Sequence, residues 1–336
     1  MEPAVRGCSV IIPTFNRASR IGRCVESALQ SEIRDVEVIV VDDGSTDRTD
    51  AIVERFGAQV KYLRQDNAGP AAARNTGIRA GTRGYVAFLD SDDVMLPGPH
   101  QRIIDYLETH PDVSAGFGDV FVNNAAGEIE RAYQRSYMTK FWDLPASHDG
   151  PFRVFDRAGF GRLMLLDRCL VSMGAIVVRR SALEAAGRFD TFFFGYEEWD
   201  LFIRLANRYS FAYLDEPMAR IEKHDSNFSA DREQMVTQAI AILDKSVQSD
   251  LPLSPEVRRL AAERLRTCTF EWAYHAFVRD DLPTTRRRLR MYASRWGWDR
   301  RALKYWLLTW LGTSALRYAR GWKALASNQQ GSTSVR

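Results

Sequence analysis

Short runs dense in β-branched and aromatic residues recur early in the chain: CSVIIPT at 8–14, VEVIVVDD at 36–43, VKYL at 60–63 and YVAFLD at 85–90. Bounded apolar runs of this length predict strands buried on both faces. Between them RIGRCVESALQS, TDRTDAIVERF and GPAAARNTGIRAG predict helices. Strand and helix in alternation imply an α/β, Rossmann-like, mostly parallel sheet flanked by helices. Functional loops in such sheets gather at the carboxyl ends of the strands. That rule brings residues 13–16, 42–47, 65–69 and 90–93 to one rim.

Past residue 112 the alternation loosens into VSAGFGDVFVNN and a polar, aromatic stretch reaching about 156, then a helix near 157–168. A second ordered block follows, with SMGAIVVRR, the short helix SALEAAG, the loop RFDTFFFGY and the helix EEWDLFIRLANRY. From about 228 the pattern is helical, and the last ten residues, 327–336, read as disordered.

Charge separates this tail from the rest. The net charge is +3, yet residues 251–336 hold seventeen Lys and Arg against six Asp and Glu, or +11, which leaves −8 for residues 1–250. The tail also carries Trp272, Trp296, Trp298, Trp306, Trp310 and Trp322. Arginines beside tryptophans fit a helical appendage packed on the rest of the chain or on a second subunit, making a homo-oligomer, and fit a peripheral contact with anionic lipid. No nucleic-acid motif accompanies them, so nucleic acid is not an expected partner. No uncharged run reaches the roughly 18 residues that span a bilayer. The opening MEPAVRGCSVIIPTF has no secretory pattern, and Cys8, Cys24, Cys169 and Cys268 show neither metal-ligand nor disulfide spacing. The expected location is cytoplasmic, with the tail able to reach the inner face of the plasma membrane.

At YVAFLDSDDVM an apolar strand surfaces into Asp90, Asp92 and Asp93. Carboxylates crowded in this way raise one another's pKa and favour a cation between them. A solvated turn with an Asp helix cap is the alternative, and Asp93 suits the cap of a helix beginning near Pro97. The first strand is followed by PTFNRASR rather than G-x-G-x-x-G, which argues against a dinucleotide-binding oxidoreductase.

PTFNR (13–17), VVDDGSTD (40–47), NAGPAAARN (67–75), FLDSDD (88–93) and GYEEWDLFIRL (195–205) together resemble the inverting GT-A glycosyltransferases of family 2. The resemblance covers residues 8 to about 230. It implies a GT-A catalytic domain over 1–228, with a nucleotide-binding half to about 112 and an acceptor-binding half from 113. A basic, Trp-rich helical region over 229–326 follows.

The resemblance also implies roles. FLDSDD would hold the D-x-D motif, with Asp92 coordinating Mn²⁺ or Mg²⁺ and Asp90 reaching the ribose or a metal-bound water. Oxygen ligands suit such hard cations, which keep waters and substrate phosphates in their other positions. His224 stands where relatives often place a His near the diphosphate or the metal. Asp42 would read the base, with Asp43, Ser45 and Asp47 shaping the turn and the next helix. Phe15 packs on base or ribose, or belongs to the strand-end core. Arg74 would contact base or phosphates. Pro13, Thr14, Asn16, Asn67 and Ser91 complete the nucleotide-sugar site, although Asn67 and Gly69 also read as a helix entry. Arg179 and Arg180 are candidates for phosphate or acceptor, or begin a solvated helix.

Inverting transfer needs a base for the acceptor hydroxyl. Relatives usually carry Glu-Asp there, and this chain has Glu197 and Glu198. Glu198 is the expected base and Glu197 the reserve. The implied reaction is metal-assisted direct displacement of a sugar from a UDP- or dTDP-linked donor to a hydroxyl of a glycan or lipid-linked saccharide, in surface polysaccharide synthesis. The alternative is a degenerate GT-A-like protein that binds nucleotide or acts as a scaffold.

Overall fold

The computed structural model describes residues 6–123, 129–131, 139–166, 171–222 and 232–312. Its strands are β1 (Cys8–Thr14), β2 (Val36–Asp42), β3 (Val60–Arg64), β4 (Tyr85–Phe88), β5 (Val94–Met95), β6 (Val113–Asn123), β7 (Ile129–Arg131), β8 (Ser147–Asp149), β9 (Phe152–Phe155), β10 (Ile176–Arg179) and β11 (Ser210–Glu222). Its α-helices are α1 (Ile21–Leu29), α2 (Thr49–Val53), α3 (Pro70–Ala80), α4 (Pro99–Thr109), α5 (Thr139–Trp142), α6 (Arg157–Leu166), α7 (Arg180–Ala186), α8 (Glu197–Ala206), α9 (Arg232–Gln248), α10 (Pro255–Val278), α11 (Leu282–Trp296) and α12 (Arg300–Leu308).

The chain divides into two compact units. The first comprises residues to Gln238 together with Gln248–Val257, and the second Ala239–Val247 together with the chain from Arg258. The division runs through α9, further along than the boundary expected near 228. No described helix is long and apolar enough to cross a membrane.

In the first unit the strands form one sheet in the order β3-β2-β1-β4-β10-β6-β11-β9-β8, with β5 on β11 and β7 on β6. β3, β2, β1 and β4 pair in parallel, as their alternation with helices requires. β10 runs antiparallel to β4 and β6, and β6 pairs in parallel with β11. β1 is buried at all seven positions, which explains its unbroken apolar sequence. α3 lies close over it because Gly77 has no Cβ; one there would stand 2.4 Å from Ile11 Cγ2.

Two expectations are corrected here. Asp93 does not cap α4, which begins at Pro99 after Gly98. The intervening Val94–Met95 pairs with β11 as β5 instead, and Asp93 Oδ1 accepts from the Glu222 amide at 3.1 Å. Arg179 and Arg180 are half-buried where α7 begins, and their guanidinium groups are taken up by backbone carbonyls. Arg179 donates to the carbonyls of Val113, Leu107 and His110, and Arg180 to those of Arg83 and Ile78. Both staple the edge of the sheet where β4 begins, away from the rim at its carboxyl end.

In the second unit Phe270, Ala273, Leu289, Tyr292 and Ala302 form the core, with Trp296, Tyr305 and Trp306 packed on it. Asp299 caps α12 by accepting from the Ala302 amide at 2.7 Å, and its other oxygen accepts from Arg266 and the Tyr292 hydroxyl. Several tail arginines lie over aromatic rings: Arg288 over Trp272 at 4.2 Å and Arg301 over Phe270 at 3.8 Å. Arginine and tryptophan therefore occur together in this tail partly because they pack on each other.

Candidate active site

The carboxyl ends of β1, β2 and β4 open into a cleft of about 680 Å³, within the size range of small-molecule sites. Pro13, Thr14, Phe15, Asn67, Arg74, Asp90, Ser91, Asp92, Glu197 and Glu198 all line it, so most of the expected site residues share one cleft. Asn16 and Asp42 do not. Asn16 takes a left-handed backbone (φ 53°), and its Oδ1 accepts from the Thr46 and Asp47 amides, which pins the loop after β1 to the loop after β2. Asp42 is fully buried. Its Oδ1 accepts from the Ser45 amide and its Oδ2 from the Tyr62 hydroxyl, each at 2.7 Å. This places Asp42 beneath the cleft wall rather than on it. His224 lies outside the described residues, as does the terminal segment 327–336.

Asp43 lines the cleft in place of Asp42, but its oxygens are engaged too, accepting from the Gln65 side chain and the Ala68 and Gly69 amides. It thus fixes the entry to α3, whereas the expected role was to shape the turn around Gly44. Gly69 needs its glycine twice over: φ is 88°, and a Cβ would meet the Phe194 ring at 3.0 Å.

Arg74 occupies the centre. Buried in α3, it donates through Nη1 to Glu197 Oε1 at 2.5 Å and through Nη2 to Asp90 Oδ1 at 2.7 Å. Burial opposes its charge, but Asp90, Glu197 and Glu198 outweigh that and hold the guanidinium firmly protonated. The residues joined this way are 123 positions apart in sequence. Both oxygens of Glu197 are engaged, since its Oε2 accepts from the Gly195 amide at 2.9 Å.

Gly195 and Tyr196 both take left-handed backbone, at φ 93° and 63°. A tyrosine in that region is uncommon and marks a constrained turn. The turn delivers the first residues of α8 into the cleft. Glu198, next in line, is half-buried, and among the described residues it makes no ion pair or hydrogen bond to another side chain. Burial, then the neighbouring Glu197, pushes its carboxyl up to about 8 against a partial offset from Arg74. A carboxylate of that basicity can take a proton from a hydroxyl near neutral pH.

On the opposite wall burial raises Asp90, with Arg74 working against it and Asp92 adding to it; Asp93 is raised well above the ordinary range by burial, then by Asp90 and Asp92. Arg17 Nε stands 3.9 Å from Asp92 Oδ2. Excess negative charge at Asp90 and Asp92 fits a hard divalent cation that draws further ligands from water or phosphate. Among the described residues no group of three or more His, Cys, Asp or Glu is arranged to hold a metal unaided.

Residues 9–168 match the family model for glycosyl transferase family 2. This stretch of the chain is similar to family 2 glycosyltransferases. The chain is 36% identical over 103 residues to the uncharacterized glycosyltransferase EpsJ of Bacillus subtilis, covering 30% of each chain. It is 41% identical over 100 residues to a chondroitin synthase of Escherichia coli, covering 29% of this chain and 15% of that protein. The chain thus spans about a third or less of the curated relatives it matches.

Among solved structures, S. aureus TarS 1-349 in complex with UDP-GlcNAc superposes with a TM-score of 0.63 at 19% identity, over 85% of this chain and 80% of that one. The mannosyltransferase PcManGT from Pyrobaculum calidifontis, in complex with GDP-Man and Mn²⁺, gives 0.57 at 18% identity, over 96% and 84%. The fold is the GT-A fold of glycosyltransferases. Arg17, Ser172, Met173, Phe194, Tyr196 and Met235 also line the cleft and were not expected from sequence. Only two had a usable signal: Arg17 closes the PTFNR motif, and Tyr196 directly precedes the acidic pair.

Proposed function

We propose that this protein is an inverting family 2 glycosyltransferase that moves a sugar from a nucleotide-sugar donor, UDP- or dTDP-linked, to a hydroxyl of a glycan or lipid-linked saccharide in surface polysaccharide synthesis. The observation that carries this reading is the cleft itself, where Asp90 and Asp92 face Glu198 across the buried Arg74. UDP-GlcNAc in TarS, and GDP-Man with Mn²⁺ in PcManGT, support a nucleotide sugar and a divalent cation as its ligands.

In this reading Asp92 and Asp90 hold Mn²⁺ or Mg²⁺, and that ion supplies charge neutralisation for the leaving diphosphate. Arg17, on the same wall, faces the phosphates. Glu198 removes the acceptor's hydroxyl proton as the oxygen attacks the anomeric carbon. A new C–O bond forms there while the bond to the diphosphate oxygen breaks, with its electron pair leaving on the diphosphate. Attack opposite the leaving group inverts the centre. Glu197, with both oxygens committed, positions Arg74 and the turn into α8 rather than serving as base. Asp42 acts on the base site by setting the Ser45 turn and Tyr62.

A panel of UDP-, dTDP- and GDP-sugars with saccharide and lipid-linked acceptors, followed by nucleoside diphosphate release, tests this reading. Release from one donor class, stimulated by an acceptor and abolished by EDTA, is the expected outcome. Phosphate release in place of nucleoside diphosphate would point to a different reaction class.

A further inference from the structure

Among the described residues, the outer side of α12 carries apolar surface that the core of the second unit does not use. Leu303 and Leu307 in the helix, and Trp310 and Leu311 in the turn after it, are 44%, 53%, 60% and 60% exposed. Their spacing of four, three and one puts them in one row. The other side of the same helix supplies Ala302, Tyr305 and Leu308 to the packed interior, and the exposed row is not part of that core among the described residues.

Charge singles out what could cover that row. Residues 282–312 contain eight Lys and Arg and one acid, Asp299, and Asp299 is already bound to Arg266 and Tyr292. Arg300 and Lys304 are exposed on α12 beside the leucines. Arg286 lies 4.6 Å over the Trp310 ring and donates to the Thr309 carbonyl, so the indole is held in place at the end of the row. A second copy of the chain would bring the same positive charge against itself, which is unfavourable. A polynucleotide would satisfy the cations but leave the leucines against phosphate. An anionic lipid surface satisfies both, with acyl chains for the leucines and tryptophan and headgroup phosphates for the cations.

We propose that α12 and the turn after it form a docking surface for an anionic lipid membrane, with Leu303, Leu307, Trp310 and Leu311 entering the interface and Arg300 and Lys304 meeting the headgroups. This rests on the second unit alone and stands or falls separately from the transferase reading.

Cosedimentation of the full chain with vesicles of phosphatidylcholine, and of phosphatidylcholine with phosphatidylglycerol, tests it. Wild type should bind the anionic vesicles, bind the neutral ones weakly, and release with salt. The double variant Leu303→Glu/Leu307→Glu should lose ~10-fold or more of its partitioning with an unchanged thermal midpoint, because both positions are exposed. Arg300→Gln/Lys304→Gln should lose the preference for anionic lipid. Wild type left in the supernatant of anionic vesicles overturns the proposal, as does undiminished binding by the leucine variant. A dimer in analytical ultracentrifugation that the leucine variant dissolves, without lipid binding, would assign the row to a second copy instead.

Discussion

Glu198→Gln is expected to lower kcat for acceptor-dependent transfer by about 10²- to 10⁴-fold, the usual contribution of a positioned general base, while nucleotide affinity changes little. Gln keeps the size and polarity of the side chain but cannot accept the proton. The effect has a pH signature as well. With its carboxyl pushed up to about 8, Glu198 is mostly protonated in the free protein at neutral pH, and the ionised form is the one that acts. In wild type kcat/KM should therefore climb as pH rises and level off above about 8; in Glu198→Gln that limb should vanish.

Stability should move the other way. The folded protein holds this proton more tightly than the unfolded chain, whose ordinary value is 4.5. The stabilisation this proton provides is complete below about 4.5 and is lost as pH rises through about 8. The Gln variant should lack that slope in urea unfolding. A variant with wild-type kcat would remove Glu198 from the mechanism.

Arg74→Met is expected to destabilise the first unit by about 3–5 kcal/mol, because it leaves a buried carboxylate without its counter-charge. The mate most affected is Glu197, which is 4% exposed and draws one of its two oxygen contacts from Arg74. Asp90, more open to water, should contribute less. The double variant Arg74→Met/Glu197→Gln should recover part of the loss, since it removes the stranded charge along with its partner. Urea unfolding of wild type, both single variants and the double variant measures the coupling. Additive losses would mean that the two side chains do not depend on each other.

The first half of the sheet was legible because β1, β2 and β4 are buried on both faces and must be written in β-branched and aromatic residues. β6 was not, although it is a central strand paired with both β10 and β11. Gly116 sits where a Cβ would strike Ile103 at 2.4 Å and Gly118 where it would strike the Glu216 carbonyl at 2.6 Å, so close packing wrote glycine into a strand. The acids of the site were legible as clustered carboxylates on strand ends. Their wiring was not, because Arg74 and Glu197 are 123 positions apart in sequence. Which of Asp42 and Asp43 faces the cleft depends on the turn at Gly44, where φ is 86°, and a DD pair reads the same either way.

The central claim is that this cleft binds a nucleotide through its acidic pair with a divalent cation, and calorimetric titration tests it without needing the acceptor. UDP, dTDP and GDP would be titrated into wild type and Asp92→Ala, each with Mn²⁺ and with EDTA. Binding of one of them by wild type, weakened at least tenfold by EDTA and by Asp92→Ala alike, is the predicted result. Binding that is indifferent to both, or no binding of any nucleotide with Mn²⁺ present, would contradict it.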